Sequence, residues 1–156
     1  MALTSFFRDF GRPPASRGES PAAILIIRIM VGSVFLSEGI QKFLFSESLG
    51  VGRFIKIGIP APEIMAPFVG VVEIVCGALV LIRLLTRLAT IPLLIDIIVA
   101  ILTTKLPMLL QSGFWKMAHE ARTDFSMLLG LLFLLIVGGG RWSLDGMKAK
   151  HPEAQD

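Results

Sequence analysis

The sequence predicts an all-α membrane protein, a four-transmembrane-helix bundle with both termini on the cytoplasmic side. Three observations predict it. Hydrophobic residues make up 54% of the 156-residue chain against 17% charged, with a mean hydropathy of +0.76, which is more apolar and less charged than a water-soluble domain. Four apolar stretches approach the roughly 20 residues that cross a hydrocarbon layer about 30 Å thick. Lys and Arg sit between these stretches, unequally on the two sides, and that imbalance sets orientation. At this length the chain has room for one membrane domain and short connections, so any chemistry belongs to the bundle or to a partner.

Residues 1–21 read as a cytoplasmic N-terminal arm, because Arg8, Arg12 and Arg17 alternate with Pro13, Pro14 and Pro21 and the apolar core and cleavage site of a signal peptide are missing. The first span covers about 22–43. Gly58-Ile59-Pro60-Ala61-Pro62 then forms a rigid turn, and a second span follows at 64–82, in which Pro67 is tolerated because it falls in the first turn. Arg83 and Arg87 bracket a very short connection, so spans two and three form a helical hairpin. The third span runs over 88–104, where Lys105 and Pro107 are expected to stop it. The last apolar run, 125–140, is only about 24 Å long as a helix. It is therefore expected to extend back through 118–124, giving a span of about 121–140. The membrane domain as a whole occupies 22–145, and 146–156 is a polar C-terminal tail.

Eight Lys and Arg residues flank the spans on the side of the termini and five on the other, so the positive-inside rule places both termini in the cytoplasm. Trp115 and Trp142, near opposite ends of the bundle, suit interfacial anchors, as do Phe6, Phe7 and Phe10. The net charge of +3 is spread along these flanks and forms no dense basic patch, which argues against nucleic-acid binding. The single cysteine, Cys76, excludes an intrachain disulfide, a CxxC redox pair and a thiolate zinc site, and reads as a small buried hydrophobe.

The informative residues are the ionisable ones inside the spans, each costing about 2.5–3.5 kcal/mol or more at a helix centre unless it finds a partner or water. There are five: Arg28, Glu38, Lys42, Glu73 and Asp96. Arg28, Gly32, Phe35, Gly39 and Lys42 share one face of the first span. Glu38 precedes Lys42 by four residues, the favoured order for an ion pair. Ala66, Gly70, Glu73 and Gly77 share a face of the second span, where the small residues admit a neighbouring helix. Ala89, Pro92, Asp96, Ala100 and Thr103 do the same in the third, with Pro92 expected to kink the helix and free a carbonyl near Asp96. Three helices are thus expected to converge on a polar core of two bases and three acids. One acid, Glu73 or Asp96, is left to be neutralised by a proton or a ligand. Such acids suit a proton relay or a hydrogen bond to a small polar head group; equally, all five charges suit a purely structural role.

At the outer mouth, His119, Glu120, Arg122 and Asp124 fall within six residues. One His and two spaced carboxylates lack zinc-ligand spacing, so no metal is expected, and Thr123 or Asp124 reads equally as a helix cap. His119 and His151 are the only histidines, neither within an apolar run, which argues against a bis-His haem.

The run from Arg28 through Gly32 and Gly39 to Lys42, the turn Gly58-Ile59-Pro60-Ala61-Pro62, Glu73 followed by Gly77, and Gly138-Gly-Gly-Arg-Trp-Ser143-Leu-Asp145 together resemble the DoxX family of small bacterial and archaeal membrane proteins. The resemblance covers about residues 22–145. It implies a four-helix bundle in the plasma membrane and an association with quinone-linked oxidation, with quinone or thiol stress, and with membrane oxidoreductase complexes. Without paired cysteines this chain supplies no dithiol, and it carries no recognisable flavin, nicotinamide or iron–sulfur motif. Fold likeness alone does not transfer a reaction. Three functions follow as expectations. The first is a quinone-interacting or accessory subunit of a membrane oxidoreductase system, with a bound quinone as the only cofactor and a membrane or soluble redox partner. The second is a non-enzymatic scaffold or assembly factor. The third is a proton-coupled small-molecule carrier, for which four helices are few and a homodimer is expected.

Overall fold

The computed structural model describes residues 21–138, and within them the chain is helical, with no strand. Helix α1 (Pro21–Leu44) leads through turns to the short α2 (Val51–Lys56), then α3 (Pro62–Ile82) and α4 (Thr86–Ala100). A π-helical turn, Ile101–Lys105, joins α4 to α5 (Leu106–Ser112), and α6 (Phe114–Val137) completes the described chain. Three helices are long and apolar enough to cross a membrane: Ala22–Leu44, Pro62–Ile82 and the continuous stretch Thr86–Ser112. The expectations about the N-terminal arm, Trp142, the Arg141-Trp-Ser-Leu-Asp145 motif and the polar tail fall outside the described residues.

The breaks have local causes. Pro62 stands in the first turn of α3, where its missing N–H is no loss, and Ala61 before it takes a left-handed conformation, φ 47°. The α3–α4 hairpin closes on two further left-handed residues, Arg83 and Leu85. The amide of Leu84 returns to the carbonyl of Leu79 at 3.0 Å, the bond that ends a helix in a Schellman turn.

One predicted boundary is corrected. Lys105 and Pro107 do not end the third span, which continues to Ser112. Pro107 sits in the first turn of α5, and the π-helical turn just before it widens the backbone where the proline ring would clash with the preceding carbonyls. Pro92, the expected kink, lies inside an uninterrupted α4, so the departure from α geometry occurs a few turns later. The last helix also starts earlier than expected, at Phe114, which removes the reading of Thr123 or Asp124 as its cap.

Packing is closest between α1 and α3. Gly39 of α1 faces Gly70 of α3, where a Cβ on Gly39 would meet the Gly70 carbonyl oxygen at 2.7 Å. Gly32 faces Gly77, where a Cβ on either would meet the other's carbonyl oxygen at 3.0 Å. The small-residue faces are therefore consumed within the chain, by α1 and α3 in backbone contact. Val31, Phe35, Val80, Ala89, Leu93, Ile97, Met127, Leu131 and Leu134 form the buried core. By contrast, no residue in 98–126 is fully buried.

Candidate functional site

The expected polar core divides into two separate places. Arg28 and Lys42 lie fourteen residues apart, about 21 Å along α1, and they do different things. Arg28, 1% exposed, donates from Nε to the carbonyl of Val80 at 2.9 Å and from Nη2 to that of Leu81. These are C-terminal carbonyls of α3, groups without partners in their own helix and at the negative end of its dipole. Arg28 is a cross-helix cap, and its expected convergence with the acids is corrected. Arg87 does the same for α6, donating from Nη2 to the carbonyl of Ile136 at 2.7 Å.

Lys42 also departs from expectation. Instead of pairing with Glu38 on its own helix, it crosses to α3, where its Nζ lies 2.8 Å from one Glu73 oxygen and 2.6 Å from the other. The two side chains are 12% and 4% exposed. Glu73 sits near the middle of α3 and is brought within reach because Gly39 and Gly70 let the two backbones touch. Asp96 of α4 sets its carboxyl against that of Glu73, with Lys42 and Glu38 also in electrostatic range. Four of the five predicted charges, Glu38, Lys42, Glu73 and Asp96, therefore form one cluster between α1, α3 and α4. It contains one base and three acids.

The outer-mouth residues are on α6 and do not form a second site. His119 Nδ1 and Arg122 Nη1 approach at 3.5 Å on the exposed face, and Glu120 is exposed. Asp124 turns away from them to Lys105, with Nζ and the carboxylate oxygen 3.1 Å apart and the side chains 13% and 23% exposed. Among the described residues no group of three metal-ligating side chains comes together.

A model of the DoxX family matches residues 23–106, the stretch that contains all but the first two residues of α1, all of α3 and α4, and all four clustered charges. The chain belongs to the DoxX family. It is 56% identical over 148 residues to "Uncharacterized membrane protein Rv3486" of Mycobacterium tuberculosis, covering 91% of each chain. It is 30% identical over 121 residues to "Putative oxidoreductase CatD" of Bacillus subtilis, covering 78% of this chain and 83% of that one. No solved structure matches. The protein is a membrane-embedded DoxX protein, in contact with the lipid bilayer through its apolar helices.

Two residues of this DoxX protein do more than their sequence context predicts. Lys105, which reads as a stop signal, is the partner of Asp124; Arg87, which reads as a loop charge, caps α6. Both signals were present. The apolar character that continues from Leu106 to Leu110 marks Lys105 as lying inside a span, and a cation at a helix hairpin stands where a neighbouring helix end needs one.

Proposed function

We propose that this protein is a quinone-interacting or accessory subunit of a membrane oxidoreductase system, and that Lys42, Glu73 and Asp96 form its head-group site. The observation that carries the proposal is the cluster itself: a lysine and two touching carboxyls on three helices, with Glu73 near mid-span and 3% exposed. Charges placed there are costly, and in membrane proteins they mark ligand or proton pathways. The name of the Bacillus subtilis relative points the same way.

The donor set fits a quinone ring. A carbonyl oxygen needs a donor, and the Lys42 ammonium is one; two carboxyl groups in contact hold a proton between them, because adjacent carboxylates repel, and that proton is a second. A bound quinone would supply two-electron, two-proton carrier chemistry, with electrons delivered by a separate redox partner. The residues of this chain bind and orient the head group, stabilise negative charge on its oxygen through Lys42, and exchange protons at Glu73 and Asp96. Arg28 has no part in this, since its guanidinium is committed to the end of α3.

The same reading makes α6 a fourth span of a plasma-membrane protein. Contacts of Arg87 with Ile136 and of Lys105 with Asp124 lay α6 antiparallel along Thr86–Ser112, and an even number of spans returns both termini to one side, the cytoplasm by the positive-inside count.

The test is mass spectrometry of lipid-soluble molecules that copurify with the protein after gentle detergent extraction. A quinone is expected with wild type and with Glu63→Gln, an exposed carboxyl at the start of α3, and at least tenfold less with Glu73→Gln. Wild-type protein that carries no quinone and shows none on reconstitution with a quinone-containing lipid extract would overturn the proposal.

A further inference from the structure

The described chain consists of two hairpins built to one plan. Each sends a long helix away from the end of the bundle where Arg28 and Arg87 lie, turns through a short helix and returns: α1, α2 and α3, then α4, α5 and α6. Within each hairpin the outgoing helix packs on the returning one, and the ring closes through α3 against α4 and α6 against α1. This is the arrangement of a parallel repeat, whose halves are related by an axis along the membrane normal.

The polar side chains follow the same plan. Near its start each outgoing helix carries an arginine that caps the returning one: Arg28 on the carbonyls of Val80 and Leu81, Arg87 on that of Ile136. An acid follows, Glu38 ten residues after Arg28 and Asp96 nine after Arg87. Last comes a lysine paired with a carboxylate of the returning helix, Lys42 with Glu73 and Lys105 with Asp124. The separations differ by a constant amount. Lys42 lies fourteen residues after Arg28 and Lys105 eighteen after Arg87; Glu73 lies eight before Leu81 and Asp124 twelve before Ile136. Both arms of the second hairpin are thus four residues longer, about one helical turn, so its lysine and its acid still stand level. The π-helical turn Ile101–Lys105 falls in the added length, and such turns are frequent at functional sites.

The two pairs are packed differently. At the first, α1 and α3 close backbone against backbone through Gly39 and Gly70. At the second, nothing in 98–126 is fully buried, and the Asp124 side chain is 23% exposed against 4% for Glu73. The Lys105 ammonium has three donors and the Asp124 carboxylate two oxygens, and their contact at 3.1 Å engages one oxygen. The neighbouring hydroxyls are committed to backbone, Thr103 to the carbonyl of Val99 and Thr104 to that of Ala100. Spare hydrogen-bonding capacity in this turn therefore belongs to Lys105 and Asp124. Ionisable residues inside a span mark ligand or proton pathways.

We infer that Lys105 and Asp124 form a second head-group site, the counterpart in the second hairpin of the one at Lys42 and Glu73, and that it takes the same class of ligand, a lipid-soluble molecule with a carbonyl or hydroxyl head group. Lys105 donates to a carbonyl oxygen and Asp124 accepts from a hydroxyl. The site does not include the rest of the outer-mouth group, since His119, Glu120 and Arg122 stay exposed on α6. The class of ligand rests on the head-group reading of the first pair.

The test counts molecules of a short-tailed alkyl benzoquinone bound to purified full-length protein by native mass spectrometry. Two per chain are expected with wild type. Lys105→Gln with Asp124→Asn, which removes both charges together, is expected to leave one, and Lys42→Gln with Glu73→Gln is expected to leave the other. A single molecule that survives Lys105→Gln with Asp124→Asn and is lost with Lys42→Gln and Glu73→Gln overturns the inference and leaves the head-group reading standing. A single molecule with the opposite dependence sinks that reading and keeps the site at Lys105 and Asp124, and no binding at all removes both. An azido derivative of the same quinone gives a second measurement that needs no variant. On illumination of wild-type protein it is expected to label peptides from 98–126 as well as those around Glu73, and labelling confined to the latter overturns the inference.

Discussion

At the scale of the residue, the deciding interaction is Lys42 with Glu73. Both are mostly removed from solvent, and a buried charge that loses its partner costs far more than the pair was worth. Lys42→Met is therefore expected to lower stability by about 3–5 kcal/mol, read as a fall in the thermal or denaturant midpoint of protein in micelles. Adding Glu73→Met removes the stranded charge, so the double variant is expected to be more stable than Lys42→Met alone; a double variant at least as damaged as the sum of the two singles would refute this account of the pair. Periodicity along one helix placed Arg28, Glu73 and Asp96 on buried faces, since the facing of a side chain follows from its position on the helix. It mispaired Lys42 with Glu38 because an i, i+4 neighbour is visible within a single segment, whereas a partner on another helix depends on the register of two. That register is set by Gly39 and Gly70, whose contact brings Glu73 level with the long reach of Lys42.

At the scale of the element, the α1–α3 pair rests on glycines. A methyl group at Gly39 meets backbone, the Gly70 oxygen at 2.7 Å and the Ile74 nitrogen at 2.9 Å, and backbone does not rotate away as a side-chain tip does. Gly39→Ala is expected to force the helices apart, at a cost of about 1–3 kcal/mol, and to weaken the Lys42–Glu73 contact that the close approach permits. The check is the unfolding midpoint of Gly39→Ala beside Gly58→Ala, where a Cβ meets nothing within 4 Å and φ is +74°, so that only backbone strain is tested there. Equal losses in the two would mean that close approach is not what Gly39 provides. The small-xxx-small pattern of these helices was legible in the sequence because it is a spacing rule. The π-helical turn at Ile101–Lys105 was not, since a lysine and a proline near a span's end are also what a true stop looks like. Only the apolar residues beyond them distinguish the two cases.

At the scale of the whole molecule, the proposal that α6 is a fourth span has to account for how such a helix would enter a membrane. Glu120, Arg122 and Asp124 lie in its first half, and α6 is not among the helices apolar enough to qualify as spans. Its second half is apolar from Phe125 to Val137, too short to cross alone, so the charged half must be accommodated. Arg122 and Glu120 stay exposed and, near the helix end, can reach the polar interface. Asp124 is deeper and is accommodated by Lys105, a residue of the preceding span that is itself costly without it. Each charge therefore makes the other's insertion tolerable, and the pair couples α6 to Thr86–Ser112 during assembly. Removing one should strand the other at about 2.5–3.5 kcal/mol on insertion scales; removing both should relieve most of that penalty. Lys105→Ala is expected to leave a larger fraction of the protein extractable from membranes by alkaline carbonate, and Lys105→Ala with Asp124→Ala to return it toward the wild-type fraction. Exchanging the two charges, Lys105→Asp with Asp124→Lys, is expected to insert better than either single change. If Lys105→Ala inserts as wild type does, α6 is seated by its apolar packing against Leu93 and Val31 alone, and the ion pair follows assembly instead of guiding it.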